Sequence, residues 1–344
     1  MMRRHTAGAA LWRIGALSGV IALLVLAAAC GGGDGGKGRL LFGQREGIVE
    51  YALDDGAEKL LIAPIGGNNV TLRDPALSPD GKRLAYLYAF PPRSGDNKYD
   101  ASTDLWIANR DGRDAHAGYA HDTGQAVQFP AWLDNQHVLA IVRVSPDAMS
   151  PADAVFTLER IDVGTGERTR LLTDVLDFGL SRDRTQIVYA QFAAGVPDRL
   201  MLADIEAATG DISNEFSLVD GTQHLWPFTS PRFSPDGKTI AFGAPEQTAA
   251  ASAPRYVTSQ RGAAPEARAL YRLPQDVWLV DAAGGIARRL ATAQLDDPAL
   301  SFSGDGNALY VFSFAGVDEI DLTSGAARHL RDSKQLQTLL QWTP

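Results

Sequence analysis

Cysteine is almost absent from this sequence: Cys30 is the only one among 344 residues. No disulfide bond can therefore form within the chain, even in an oxidising compartment. With 45% hydrophobic residues, a chain of this length is large enough to build a sizeable packed core without such cross-links.

Basic residues are outnumbered by acidic ones. The chain has 32 Lys and Arg against 41 Asp and Glu, a net charge of −9. Three of the basic residues, Arg3, Arg4 and Arg13, lie in the first 29 residues, so the remainder has 29 basic and 41 acidic residues and a net charge of −12. Phosphate backbones repel a protein of this charge, which argues against a nucleic-acid partner.

The motifs of several enzyme classes are also missing. The sequence contains no Gly-x-Ser-x-Gly elbow, no His-Glu-x-x-His motif and no phosphate-binding P-loop. His116 and His121 lie five residues apart, but with only Asp114 and Asp122 nearby a solvated loop is favoured over a metal site. We therefore predict no catalytic residue, no metal and no cofactor.

The N-terminus has the features of a bacterial lipoprotein signal peptide. The three arginines flank or precede an uncharged, mostly apolar stretch (14–29), and Cys30 follows it directly. The segment "LAAAC" resembles a lipobox, with Ala27 where Leu is more common. An uncleaved anchor is the alternative, although spanning a bilayer usually takes about 20 apolar residues. We predict a signal peptide (1–29), lipidation of Cys30 and a Gly-rich tether (30–37).

After Gly38 the sequence lacks convincing helical periodicity and instead repeats a pattern of four strands, A to D. A short turn recurs between A and B: "LSPDGK" at Leu77, "WLDNQH" at Trp132, "LSRDRT" at Leu180, "FSPDGK" at Phe233 and "FSGDGN" at Phe302. Pro presets φ in such turns and Gly accepts positive φ. We assign Asp80, Asp236 and Asp305 a structural role in these turns rather than a catalytic one.

The two ends of the repeat region complement each other. Five turns define five complete blades, and "GRLLFGQ", "GIVEYALDDG" and "AEKLLIA" near the start supply strands B to D of a sixth. "QTLLQWTP" at the end supplies its strand A, so pairing the ends would close a ring and remove two exposed edges. We predict an all-β fold, a six-bladed β-propeller (38–344) closed by the C-terminal strand; an open β-solenoid is the alternative.

The repeats resemble those of a known family. "LSPDGKRLAYLY" with "DLWIANRDG", and "FSPDGKTIAFGA" with "DVWLVDAAGG", are similar to the propeller repeats of TolB-like proteins. The resemblance implies a six-bladed ring that serves as a protein-binding platform in the cell envelope. TolB proper has a separate α/β domain before its propeller and is soluble in the periplasm, and both features depart from what we expect here. The resemblance therefore implies the fold and a general binding role, not membership of the Tol system.

Three long connections all join strand B to strand C, beginning at Phe90, Ser145 and Ala244. Propeller geometry places them on one face, opposite the short turns, and loops beyond about 12–15 residues are usually functional or disordered. The tether enters on the face of the short turns, so we expect that face to lie near the membrane.

Aromatic and Arg residues in or near these connections are the candidate partner contacts, because such residues dominate binding hot spots. They are Arg93, Tyr99, His224, Trp226, Phe228, Arg255, Tyr256, Arg261 and Tyr271. For Trp226 and Phe228, packing between adjacent blades is the favoured alternative. The Ala-rich third connection could equally be a disordered surface excursion.

The starts of the A strands line the channel of a propeller. They supply Asn69, Arg73, Asp74, Asp177, Arg232, Asp296 and Asp297. Mixed charges there suit either a water-filled plug or a pocket for a polar ligand.

Together these features predict a monomeric, extracytoplasmic propeller, anchored by lipidated Cys30 to the cell membrane or outer membrane. It would bind a protein or a cell-envelope polymer without catalysis. The alternative is a propeller hydrolase or lyase with a polar or metal site at the channel. Converging His and carboxylate groups at the axis would favour the enzyme, whereas ordinary ion pairs with an exposed apolar patch would favour the binding module.

Overall fold

The computed structural model describes a chain of strands and turns. The described residues are 37–65, 70–90, 102–122, 124–144, 154–193, 196–219, 221–247, 274–295, 298–313, 315–332 and 339–344. The predicted signal peptide, Cys30 and the tether up to residue 36 lie outside these ranges. No helix in the described part of the chain is long and apolar enough to cross a membrane.

Twenty-four described strands form six antiparallel sheets of four, the blades of a propeller. Blade 6 contains β1 Arg39–Gln44, β2 Gly47–Ala52, β3 Glu58–Ile62 and, from the other end of the chain, β24 Gln341–Thr343. Blade 1 contains β4 Thr71–Leu77, β5 Arg83–Ala89, β6 Thr103–Asn109 and β7 His116–Tyr119. Blade 2 contains β8 Gln125–Trp132, β9 His137–Val144, β10 Val155–Asp162 and β11 Arg168–Thr173.

The remaining three blades follow the same order. Blade 3 contains β12 Val175–Leu180, β13 Gln186–Ala193, β14 Val196–Ile205 and β15 Ile212–Ser217. Blade 4 contains β16 Thr229–Phe233, β17 Thr239–Ala244, β18 Gln275–Asp281 and β19 Arg288–Leu295. Blade 5 contains β20 Ala299–Phe302, β21 Ala308–Ser313, β22 Gly316–Asp321 and β23 Ala327–Asp332. All five predicted A–B turns fall between the first two strands of their blade.

The ring closes through the chain ends, as predicted. Strand β24 pairs with β1 in antiparallel register, with Arg39 opposite Thr343, Leu40 opposite Trp342 and Leu41 opposite Gln341. The inner strands contact one another in the order β4, β8, β12, β16, β20, β24 and back to β4. The prediction of a six-bladed propeller is therefore confirmed, and the alternative of an open solenoid is wrong.

Burial decreases from the middle of each blade to its rim. Strand β5, "RLAYLYA", is buried over its central five residues, because both of its faces are covered by neighbouring blades. The rim strand β3, by contrast, exposes Glu58, Lys59 and Leu60. This explains why the second strands are continuously apolar, whereas the fourth strands carry charge.

The core is distributed over the junctions between blades. Six clusters of buried apolar residues are found in the described part, and each joins two adjacent blades. At the junction of blades 5 and 6, Phe42 stacks on Phe312 with ring centroids 5.8 Å apart. Apolar contact between neighbours thus holds the blades together around the whole ring.

The propeller has two faces that differ in their connections. The turn face carries the short A–B turns, and β1 enters the ring there beside the end of β24. The long-loop face carries the connections 90–102, 145–154 and 245–274, together with the segments that link one blade to the next. The strands that flank all three long connections end on this face, as predicted, while 91–101, 145–153 and 248–273 lie outside the described residues.

A Ser and an Asp build the A–B turn in four blades. The hydroxyl of Ser181 donates to Asp183 Oδ1 at 2.7 Å and accepts the backbone N–H of Gln186 at 2.9 Å. Pairs with the same two bonds are Ser78 with Asp80, Ser234 with Asp236 and Ser303 with Asp305. The structural role predicted for these turn aspartates is confirmed.

We expect Ser181→Ala to lower the free energy of unfolding by about 1–2 kcal/mol at pH 7, because one residue supports two hydrogen bonds. The Ser181 hydroxyl and the backbone N–H of Thr185 hold the pKa of Asp183 below its ordinary value of 3.8. A carboxyl whose pKa is lowered by folding stabilises the fold above its unfolded pKa, and this contribution is lost as pH falls through the folded pKa. The cost of Ser181→Ala, measured by urea unfolding, should therefore shrink between pH 7 and about pH 3. A cost that stays constant or grows would contradict this role of the carboxylate.

Candidate functional site

The inner strands bring the described channel residues together at the axis. Asp177 on β12 and Arg232 on β16 belong to adjacent blades, and Asp177 Oδ1 lies 3.7 Å from Arg232 Nη1. Arg73 and Asp74 on β4 form a second pair, with Nε to Oδ2 at 3.1 Å. Four of the predicted channel residues thus form ion pairs, while Asn69, Asp296 and Asp297 lie outside the described residues.

Asp177 is held by the backbone as well as by its arginine. Oδ1 accepts the N–H of Phe178 and Oδ2 accepts that of Ser230, both at 2.7 Å. Burial raises the pKa of the Asp177 carboxyl, and the charge of Arg232 and these N–H groups oppose the rise. Burial also disfavours the charged form of Arg232 and so lowers its pKa. The Arg232 guanidinium donates hydrogen bonds to the carbonyls of Phe178 and Pro231.

Other inner residues join neighbouring A strands in the same way. Asp74 Oδ1 accepts the N–H of Leu339 at 2.9 Å, and so links blade 1 to blade 6. The Gln341 side chain accepts the N–H of Leu77 at 2.7 Å across the same junction. An inner strand has no further strand on its axial side, so its N–H groups need partners of another kind. The described channel carboxylates supply them.

The predicted histidine pair does not form a cluster. His116 Nδ1 lies 2.9 Å from the Asp114 carbonyl oxygen, whereas His121 Nδ1 lies 2.5 Å from Asp104 Oδ1. Among the described residues, no group of three or more His, Cys, Asp or Glu side chains is placed to hold a metal ion.

The candidate partner contacts between blades 3 and 4 divide into two kinds. His224 is exposed, but Trp226 and Phe228 are each only 3% exposed. Both belong to the core cluster of this junction, where Phe228 meets Phe242 edge to face at 5.4 Å. This corrects their assignment as partner contacts, because their rings fill the space between blades. The other six, Arg93, Tyr99, Arg255, Tyr256, Arg261 and Tyr271, lie outside the described residues.

An aromatic patch that the sequence analysis missed lies on the long-loop face of blade 1. We define it as Ile65, Tyr88, Phe90, Trp106 and His121. Tyr88 stacks on Trp106 at 5.0 Å between centroids, and Phe90 lies 5.0 Å from Tyr88 and 5.5 Å from His121. The Tyr88 hydroxyl donates to the carbonyl of Ile65.

The patch is partly open to solvent and rigidly supported. Ile65 is 64% exposed and Phe90 is 36% exposed. Asp104 fixes His121 by accepting its backbone N–H at 2.9 Å as well as contacting its ring. Phe90 lies at the root of the first long connection, where its N–H donates to the Ser102 carbonyl at 3.1 Å. Rigid aromatic groups held at a loop base are suited to contact a partner with little loss of side-chain entropy.

The Asp177–Arg232 pair generates a prediction about stability. We expect Asp177→Asn and Arg232→Met each to lower the free energy of unfolding by about 3 kcal/mol, because each leaves a buried partner unpaired. The double variant should cost less than the sum of the two, since both unpaired charges are then removed. Urea unfolding of the four proteins measures this coupling, and strict additivity would show that the pair does not act as a unit.

Comparison with known proteins identifies the fold. No protein-family model and no curated protein matches the chain. The crystal structure of TolB from Acinetobacter baumannii is similar with a TM-score of 0.60 and 15% identity, over 89% of this chain and 66% of that one. The structure of putative TolB from Agrobacterium tumefaciens has a TM-score of 0.51 and 13% identity, over 89% and 99% of the two chains.

Enzymes are also among the similar structures. Oligogalacturonate lyase from Vibrio parahaemolyticus has a TM-score of 0.51 and 12% identity, over 86% of this chain and 74% of that one. This chain spans slightly less than two thirds of the length of the Acinetobacter TolB. At these identities the similarity concerns the fold alone. The chain therefore has the six-bladed propeller fold of TolB-like structures.

Proposed function

We propose that this protein is a non-catalytic binding module that recognises a protein partner through the long-loop face around blades 1 and 2. The observation that carries the proposal is the aromatic patch, which exposes apolar surface beside the first long connection. Contiguous exposed apolar groups, rich in aromatic rings, are typical of protein interfaces.

The distribution of exposed apolar side chains supports this face. Six large apolar residues of the described part are substantially exposed: Leu60, Ile65, Phe90, Val155, Phe216 and Ile286. Ile65, Phe90 and Val155 lie on the long-loop face, in the segment before blade 1, in blade 1 and in blade 2. The other three lie on rim strands or in the turn between β18 and β19. Apolar exposure is thus concentrated on neighbouring blades where two of the long connections begin.

The state of the channel supports a binding role over catalysis. Asp74 and Asp177 are both buried, both paired with arginine, and both accept backbone N–H groups. Carboxylates engaged in this way serve the closure of the ring, and the sequence contains no catalytic motif elsewhere. These are the ordinary ion pairs that favour a binding module.

An extracytoplasmic location agrees with this role. The fold shared with TolB-like structures fits such a location, and the signal-like N-terminus supports an anchor to the cell or outer membrane through Cys30. Strand β1 begins on the turn face, so a short tether before it would hold that face toward the membrane. The aromatic patch would then point toward partners in the envelope, including those bound to its polymers.

Affinity capture from native envelope with the full chain tests the proposal. The patch variant is Ile65→Ser with Phe90→Ser, and its matched control is Phe216→Ser with Ile286→Ser. The control residues are 39% and 76% exposed but lie away from the long-loop face. We expect one protein to be retained by wild type and control, with affinity for the patch variant lower by about tenfold or more, since two hot-spot side chains are lost.

Binding is then measured with the purified partner by calorimetry. Equal affinity of the patch variant and wild type, or the absence of any retained protein, would overturn the proposal. Replacing 245–274 by a short Gly-Ser link in a further variant tests Arg255, Tyr256, Arg261 and Tyr271 as contacts.

A lyase or hydrolase acting at the channel is the second candidate function. The fold shared with oligogalacturonate lyase and the charged axis support it. Under this candidate, oligogalacturonate incubated with divalent metal and the wild-type protein would yield unsaturated products that absorb in the ultraviolet, and Asp177→Asn would abolish them. A wild-type protein without activity leaves the binding function as the better explanation.

A further inference from the structure

A cleft of about 690 Å³ opens on the turn face between blades 5 and 6. Its aromatic residues are Trp342 and Tyr310, and its charged residues include Lys37, Asp305, Glu319 and Arg328. The cleft lies on the opposite face from the aromatic patch. Its volume is within the range of small-ligand sites, about 300–1,000 Å³.

The ring contains a second tryptophan in the same structural position, and that one is covered. Trp132 is the last residue of strand A in blade 2 and pairs with Val138, and Trp342, one residue before the end of strand A in blade 6, pairs with Leu40. Trp132 is buried, and the guanidinium carbon of Arg83 in the preceding blade lies 5.0 Å from its ring centroid. Trp342 is only half-buried.

Two departures from the repeat account for this difference. The segment "SPDGKR" (78–83) of blade 1 corresponds to "SGDGNA" (303–308) of blade 5, so Ala308 occupies the position of Arg83. Gly304 replaces Pro79, and a Cβ at Gly304 would clash with Cη2 of Trp342. The glycine lets the indole approach the turn backbone, and the alanine removes the side chain that covers the equivalent tryptophan in blade 2.

Fixed polar groups surround the half-buried ring, which also lies close to the backbone of Gly38. The Trp342 Nε1–H donates to the carbonyl of Lys37 at 3.2 Å, which sets the orientation of the indole. Arg328 is held by Glu319, with Nε to Oε2 at 2.9 Å, and Asp305 is held by Ser303. The lining carries Asp305, Glu319 and Asp321 against Lys37 and Arg328, so its net charge is negative and an anionic ligand is disfavoured.

We propose that this cleft binds an uncharged saccharide, built of either plain or N-acetylated sugars, with one pyranose ring stacked on Trp342. The C–H groups on one side of a pyranose carry partial positive charge and match the negative face of an indole. Hydroxyl and acetamido groups at the ring edge can bond to Asp305, Asn307 and Arg328, which line the same cleft. This site is independent of the protein-binding role proposed for the long-loop face.

The repeat itself supplies a variant that closes the cleft. Ala308→Arg restores the residue that blade 1 has at this position, and its guanidinium should cover Trp342 as Arg83 covers Trp132. The matched control is Gln186→Arg, which introduces the same residue at the same position of blade 3, where it would face blade 4 and not the cleft. Ala308→Gln fills the same space without adding charge, and it replaces Ala308→Arg in the binding test if that variant does not fold.

Titration of the full chain in detergent tests the proposal, with calorimetry and saturation-transfer NMR as readouts. The probes are β-1,4-linked tetramers of glucose and of N-acetylglucosamine, with trigalacturonate as the anionic comparison. We expect at least one tetramer to bind. The folded position-308 variant should weaken this binding by about tenfold through loss of stacking, and Gln186→Arg should have no effect.

Melting temperatures of all variants establish that they are folded. Three results would each overturn the proposal. They are that neither tetramer binds, that the folded position-308 variant binds as well as wild type, or that trigalacturonate binds more tightly than both tetramers.

Discussion

The pairing of β24 with β1 is the contact on which the rest of this structure depends. Three residues at the C-terminus, Gln341–Thr343, complete a blade whose other strands lie some 300 residues earlier. Without them β1 would present an open inner edge, and the apolar cluster between blades 5 and 6 would lose Trp342, which packs against it. Every blade packs on two neighbours, so one missing strand would weaken the closure of the whole ring.

Closing the ring creates a second requirement, at the axis. Inner strands face one another there without a regular ladder, and their N–H groups must be satisfied by side chains. Asp74 and Gln341 meet this need at the junction of blades 1 and 6, and Asp177 meets it at the junction of blades 3 and 4. Arg73 and Arg232 then balance the buried carboxylates. The polar axis is thus a consequence of the architecture, whatever ligand the protein binds.

The architecture could be predicted from the sequence because its determinants are local. Three of the A–B turns contain a Ser, an Asp and a Gly within six residues, as at Ser303–Asp305–Gly306, and the apolar second strand follows directly. The complementary ends could also be recognised, because "QWTP" continues the same local pattern. The strand order follows directly from the repeated pattern, so the fold could be predicted without knowledge of side-chain contacts.

The candidate sites could not be predicted in this way, because they depend on contacts between distant segments. Phe90 and His121 meet only after β5, β6 and β7 have been placed side by side, and Ile65 joins them from the previous blade. Trp226 and Phe228 have the composition of a binding surface, yet the neighbouring blade buries them. Equivalent positions of the repeat also differ in exposure: Trp132 is buried and Trp342 is half-buried. The difference is explained only when Arg83, which covers Trp132, is compared with Ala308 at the equivalent position beside Trp342.

Blade 6 also differs from the other five in how it transmits mechanical load. Its inner strand is joined to the rest of the blade by hydrogen bonds and packing alone, whereas each other blade is continuous along the chain. Tension applied through the segment before Lys37 would reach Arg39 first, which is paired with Thr343 on one side and with Ala52 on the other. The ladder to β24 has three pairs and the ladder to β2 has six, so a propeller pulled by its N-terminus would yield first where β1 meets β24.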